Sequence, residues 1–97
     1  MKKTLHLTIK KKWFDEILHG EKKVEYREIK RHWTVRLLDE RGMFVEFDEV
    51  EFKNGYLPDS LKVVVECKGI DVGYCPIWDK DSYRIHLGEI IRTGEQK

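Results

Sequence analysis

The densest chemistry in the chain lies in Gly20-Glu21-Lys22-Lys23-Val24-Glu25-Tyr26-Arg27. This stretch follows an amphipathic run, Lys11–His19, and opens an alternation that continues to Ile29. From Lys23 onward the period is two, so Lys23, Glu25 and Arg27 share one face of a strand, and Val24 and Tyr26 share the other. The apolar pair is expected in the core, with the charged face outward or in a cleft. Lys22 stands at the mouth of the turn, from which a long side chain reaches the same cleft. A cation, a carboxylate and a guanidinium on one short element can play three roles. They can form an ion-pair ladder, worth about 0–1 kcal/mol if exposed, which is little reason to assemble it. They can bind a guest. They can also do acid–base or covalent work. Lys22, desolvated beside Arg27, would then be base or nucleophile, Glu25 would shuttle the proton, and Arg27 would stabilise an oxyanion.

Two helices must position this group. Trp13 and Ile17 are four apart, as are Phe14 and Leu18, so Lys11–His19 carries a broad apolar stripe. Gly20, free to take the left-handed conformation, ends that helix. Lys10, Lys11 and Lys12 crowd its start, where the helix dipole is already positive, and such a cluster suits a phosphate or another anion. The alternative is a solvated lysine run. After this strand, Lys30–Leu38 reads as a second helix. Lys30, Arg31 and Arg36 make it basic, and Trp33 among them could stack on a base or lie in the core. Tyr26 would stack as well, if exposed.

The rest of the chain is strand-rich. Thr4–Ile9 alternates, with His6 on its polar face. Met43–Phe52 reads as one or two strands. Its acids Glu46, Asp48, Glu49 and Glu51 would repel a phosphate, which places this segment away from a nucleic acid. Asn54-Gly55 marks a turn and Tyr56–Ser60 a loop. Leu61–Ile70, with three successive valines, is the expected central strand. Asp71–Ser82 reads as a loop that either plugs a barrel end or offers Tyr74 and Trp78 as a lid. Tyr83–Ile91 is the closing strand, with Gly88 at a bulge, and Arg92–Lys97 is a polar tail.

Ninety-seven residues are enough for one domain, 1–97, with a small core and a heavily ionic surface: 40% are hydrophobic and 38% charged. The net charge of +1 is uneven. Residues 1–36 hold eleven Lys/Arg against five Asp/Glu, and residues 37–97 hold eight against thirteen. A basic N-terminal part points to an anionic partner. Cys67 and Cys75 form no disulfide framework or zinc spacing. Nucleophile-elbow, phosphate-loop, dinucleotide and calcium-loop patterns are absent, so no metal or cofactor is expected. No leader or bilayer-length apolar run is visible, so the reading is a cytoplasmic protein without membrane contact.

Gly20-x-Lys22-x-x-Glu25-x-Arg27 resembles the G-x-K-x-x-E-x-R signature of the ASCH domain, a branch of the PUA-like superfamily. Trp13-Phe14-Asp15-x-Ile17-x-x-Gly20 is similar to the helix that leads into it, and the resemblance covers roughly residues 3–38. It implies an α+β fold, a small mixed or antiparallel β-barrel of about five to six strands with two short helices. It also implies binding of RNA or a modified nucleoside, in a basic cleft between the first helix and the signature strand. Lys10–Lys12, Lys22, Arg27, Lys30 and Arg31 would meet phosphates, Glu25 would share the cleft, and Tyr26 and Trp33 would stack. Some small proteins resembling the family are amidohydrolases that deacylate acetylated cytidine, and this is the alternative activity, with Lys22 and Glu25 catalytic. Those proteins carry Thr where this chain has Glu25, a departure that favours binding.

Overall fold

A computed structural model of the chain describes residues 2–57 and 59–94. The elements follow in the order β1 (Thr4–Ile9), α1 (Lys11–Leu18), β2 (Val24–Arg27), α2 (Arg31–Leu37), β3 (Glu49–Asn54), β4 (Lys62–Cys75) and β5 (Lys80–Gly94). The fold is a small α+β unit. The five strands form one mixed sheet in the order β1-β3-β4-β5-β2. β1 runs parallel to β3, and the other pairs are antiparallel. β1 and β2 are therefore the two edges of the sheet, and among the described residues no strand pairing closes it.

Alternation decides what the sheet buries. Leu5, Leu7 and Ile9 of β1 point inward, with Val50 and Phe52 of β3, Val63 and Val65 of β4, and Ile85 and Leu87 of β5. α1 adds Phe14 and Ile17 and α2 adds Leu37, all buried. A hydrogen bond between Thr34 Oγ1 and Tyr83 Oη, 2.6 Å long, ties α2 to β5.

The exit from α1 is built with care. Gly20 takes φ +76°, its N–H bonds Ile17 O at 3.1 Å, and Glu21 N–H bonds Glu16 O at 2.8 Å. This pair of bonds is the Schellman closure of a helix end, and it requires the left-handed residue that glycine supplies. Lys22 N–H also reaches Glu16 O at 3.2 Å. The backbone of Lys22 is thus fixed to the helix end before β2 begins.

Three expectations from the alternation and the turn residues are corrected. Asp71–Ser82 is not a loop: β4 continues to Cys75, and β5 starts at Lys80 after a short turn. Gly73 sits within the strand because the Arg84 guanidinium occupies the space that a Cβ would fill. The polar tail is shorter than expected, because Arg92–Gly94 belongs to β5; residues 95–97 lie outside the described residues. On β2, Glu25 is the buried residue, while Val24 and Tyr26 are only half-buried. Hydropathy puts the apolar pair inside, but the inner face of β2 borders a cavity, and Glu25 meets two cations there. The bulge expected at Gly88 is present, as a register shift between Val65↔Ile90 and Cys67↔Leu87. Of the Met43–Phe52 segment, β3 takes only the end, and Glu49 is buried beneath Thr4 and Arg92.

The outer face of the β4–β5 hairpin carries an ionic cluster. Arg84 donates through Nε and Nη2 to both oxygens of Asp71, at 2.8 and 3.0 Å, and His86 Nε2 lies 3.1 Å from Asp71 Oδ2. The Arg84 hydrogen bond, with a smaller contribution from His86, holds Asp71 below its ordinary value of 3.8. The folded state therefore favours the ionised form. That stabilisation is complete above pH 3.8 and is lost as pH falls through the lower folded value. Half-exposed, the group contributes about 0–1 kcal/mol. Urea unfolding at pH 7 and near pH 2.5 is expected to show a smaller acid loss for Asp71→Asn than for the parent chain. Equal losses would refute the assignment.

Candidate functional site

The two unpaired sheet edges, β1 and β2, face one another across a cavity of about 640 Å³. Thr8 and Ile9 line it from β1, and Glu25, Tyr26 and Arg27 line it from β2. α1 contributes Trp13, α2 contributes Trp33, and Lys22 enters from the turn between them in sequence. Tyr56 stands near the rim after the Asn54-Gly55 turn, and Ile77 and Trp78 reach in from the tip of the β4–β5 hairpin. The chain has three tryptophans, and all three line this cavity.

Its floor is ionic. Lys22 Nζ lies 3.3 Å from Glu25 Oε1, and Arg27 Nη2 and Nε lie 2.6 and 2.9 Å from Glu25 Oε2. The three side chains are 7%, 8% and 16% exposed. A ladder of this kind in water contributes little, whereas a desolvated one is costly to make and costlier to break. Two cations share one carboxylate, so the floor carries an excess positive charge.

Aromatic rings carry the cations. Lys22 Nζ sits 4.8 Å from the centre of the Trp13 ring and 5.6 Å from that of Tyr26. The Arg27 and Arg36 guanidinia lie 4.6 and 4.9 Å from the Trp33 ring. Such packing stabilises a desolvated cation where water is scarce. The same two arginines serve the unpaired edge of β1: Arg36 Nη2 donates to His6 O at 2.7 Å, and Arg27 Nη2 donates to Thr8 O at 3.3 Å. Side chains thus satisfy carbonyls that a neighbouring strand would otherwise take.

Of the residues singled out by sequence, Lys10, Lys22, Glu25, Tyr26, Arg27 and Trp33 come together around this cavity. Lys11, Lys12, Lys30 and Arg31 are exposed and outside its lining. Lys11 pairs with Asp15 at 2.7 Å, Lys12 Nζ lies 4.7 Å from the Trp13 ring, and Lys30 pairs with Glu28 at 3.0 Å. The Lys30 hydrogen bond holds the Glu28 carboxyl, at the cavity wall, below the usual carboxylate range. Glu46, Asp48, Glu49 and Glu51 do not line the cavity.

Sequence reading did not assign Trp13, Tyr56 or Ile77 to a site. Trp13 fits the apolar stripe of α1, and that periodicity hides its second role. Trp78 was visible as an aromatic in an irregular segment, but nothing local shows where a hairpin tip will land. Among the described residues no group of three His, Cys, Asp or Glu stands close enough to hold a metal ion. No helix among them is long and apolar enough to cross a membrane. Compared with known proteins, the chain matches no family model, no curated protein and no solved structure.

Proposed function

We propose that this chain is a nucleoside-binding module of the ASCH, PUA-like type, which takes one base, free or splayed out of an RNA strand, into the cavity between β1 and β2. The PUA-like reading of the fold is part of the proposal: a strongly curved five-stranded sheet, with its open seam forming the site. One observation carries it. A largely buried Lys22–Glu25–Arg27 row forms the floor of a cavity walled by every tryptophan in the chain. Trp13, Trp33 and Tyr26 hold the cations in place, and Trp78 and Tyr56, which pack on no cation among the described residues, are the rings left to stack on a base while the charged groups read its edge. A volume of about 640 Å³ suits a nucleoside and is too small for a duplex. Lys10 at the wall, with Lys11, Lys12, Lys30 and Arg31 outside, supplies phosphate contacts when the base belongs to RNA.

Tryptophan emission is the natural probe. Titration with nucleosides and with short single-stranded RNA is expected to quench it. RNA affinity should fall with added salt, and the nucleoside signal should change little, because only the strand displaces counterions. Absence of quenching by every nucleoside and RNA tested up to millimolar concentration would refute the proposal. The alternative reading, deacylation of acetylated cytidine by Lys22, draws on the presence of Lys22 Nζ in the same cavity. It is less favoured because Glu25, Trp13 and Tyr26 already surround that nitrogen. Mass spectrometry of the same mixtures reads out any deacylation.

A further inference from the structure

We propose that two copies of this chain pair antiparallel along residues 70–74 of β4, about a two-fold axis at Val72. The pairing is independent of what the cavity holds.

β4 has one flank that the fold leaves unused. β3 pairs with it only from Lys62 to Glu66, and Cys67 N–H bonds Asp48 O at 3.0 Å. Beyond that point, among the described residues, its one strand neighbour is β5. Alternation then fixes where the backbone points. Leu87 N–H bonds Lys23 O at 2.9 Å, so Tyr83, Ile85 and Leu87 turn their backbone groups toward β2, and Ser82, Arg84 and His86 turn theirs toward β4. Gly73, Asp71 and Gly69 meet those three. The N–H and C=O groups of Ile70, Val72 and Tyr74 therefore point away from β5, and among the described residues no other backbone group bonds them.

This edge lacks the usual defences. No lysine or proline lies between Gly69 and Cys75. Val72 and Tyr74 are 47% and 52% exposed. An apolar, unpaired edge of this kind is a template for another strand.

A second copy fits it on both faces. With Val72 opposite Val72, Ile70 lies opposite Tyr74 of the second copy, and all three residues exchange backbone bonds. The side chains on this face are an aliphatic pair and a tyrosine. On the other face Asp71 lies opposite Gly73, where the Arg84 guanidinium occupies the place of a side chain. Each Arg84 holds its own Asp71 through Nε and Nη2. In the pair it also stands beside Asp71 of the second copy, so unlike charges alternate across the axis. The neighbouring register toward Gly69 sets Asp71 against Asp71, and the one toward Cys75 leaves Ile70 without a partner. The ladder is short, which puts the dimer at the weak end, with a Kd on the order of 10–100 µM.

Sedimentation velocity on the intact chain should show monomer at about 1 µM and mostly dimer at about 500 µM. Val72→Lys sets an ammonium against its own copy on the axis and should weaken the dimer at least tenfold. Val72 is half-exposed, so the variant keeps the core intact. On the parent chain, amide exchange followed by NMR should slow with concentration at Ile70, Val72 and Tyr74. Asp71 and Gly73, already bonded to β5, should keep their rates. Monomer at every concentration overturns the pairing, as does exchange at those three amides that ignores concentration. A dimer that Val72→Lys leaves intact places the contact on another surface and overturns it too.

Discussion

Replacing Glu25 with glutamine is expected to lower the unfolding free energy by about 3–5 kcal/mol, the cost of removing one partner from a buried ion pair. The carboxylate is 8% exposed and is the counter-charge for two cations, Lys22 and Arg27, that are themselves 7% and 16% exposed. Glutamine keeps the shape and removes the charge, so two desolvated positive groups are left facing each other. For a domain of this size each kcal/mol lowers the melting temperature by roughly 4–8 °C. A fall on the order of 12 °C or more by calorimetry is the expected result, and a change under about 2 °C would show that the row is solvated in solution. A companion variant separates stability from purpose. Lys22→Met with Glu25→Leu and Arg27→Met removes all three charges together, and buried pairs replaced in this way by apolar residues often lose nothing. This triple variant should melt near the parent chain and fail to quench with any nucleoside. The charges would then be retained for the guest and not for the fold.

Arg27→Ala is expected to weaken nucleoside binding by at least tenfold and, separately, to promote self-association. Arg27 makes three kinds of contact: the paired bonds to Glu25, the bond to Thr8 O, and the stack on Trp33. Without it, the floor loses one of the two cations that flank Glu25. The β1 edge also loses a cover over one carbonyl, and an uncovered strand edge is a template for pairing with another chain. Arg27→Lys should restore little of either property, because an ammonium lacks the planar fork that engages Glu25 and Thr8 together. Light scattering and the quenching titration read the two effects independently. Parent-like affinity in a folded Arg27→Ala protein would remove Arg27 from the site.

How much of this was legible in the sequence depended on whether the signal was local. The α1 stripe and its stop at Gly20 were readable because a 3.6-residue period and a left-handed glycine are short-range features. The start of β4 was readable from Val63, Val64 and Val65. Asp71–Ser82 was not, since Gly73 and Pro76 look like breakers. What makes a strand there is the antiparallel pairing of Asp71–Cys75 with Lys80–Arg84 and the Arg84 guanidinium lying over Gly73. For β2, alternation showed which residues share a face but not which face turns inward. Glu25 is inside because Lys22 arrives from a helix end and Arg27 from two residues on, a three-body arrangement that hydropathy does not encode. Lys22, Glu25, Arg27 and Trp33 could be gathered from sequence because they lie within twelve positions of one another. Thr8, Tyr56 and Trp78 could not, because the parallel β1–β3 pairing and a long hairpin bring them to the cavity.

The fastening between the outermost strands has a kinetic consequence. A barrel zipped shut by amide ladders must break backbone pairing, register by register, to admit anything through its wall. Here, among the described residues, the link from β2 to β1 is the Arg27 guanidinium, reaching Thr8 O. Torsion about one side chain can unlatch it while every strand keeps its neighbours. Opening of this seam is thereby uncoupled from unfolding of the sheet.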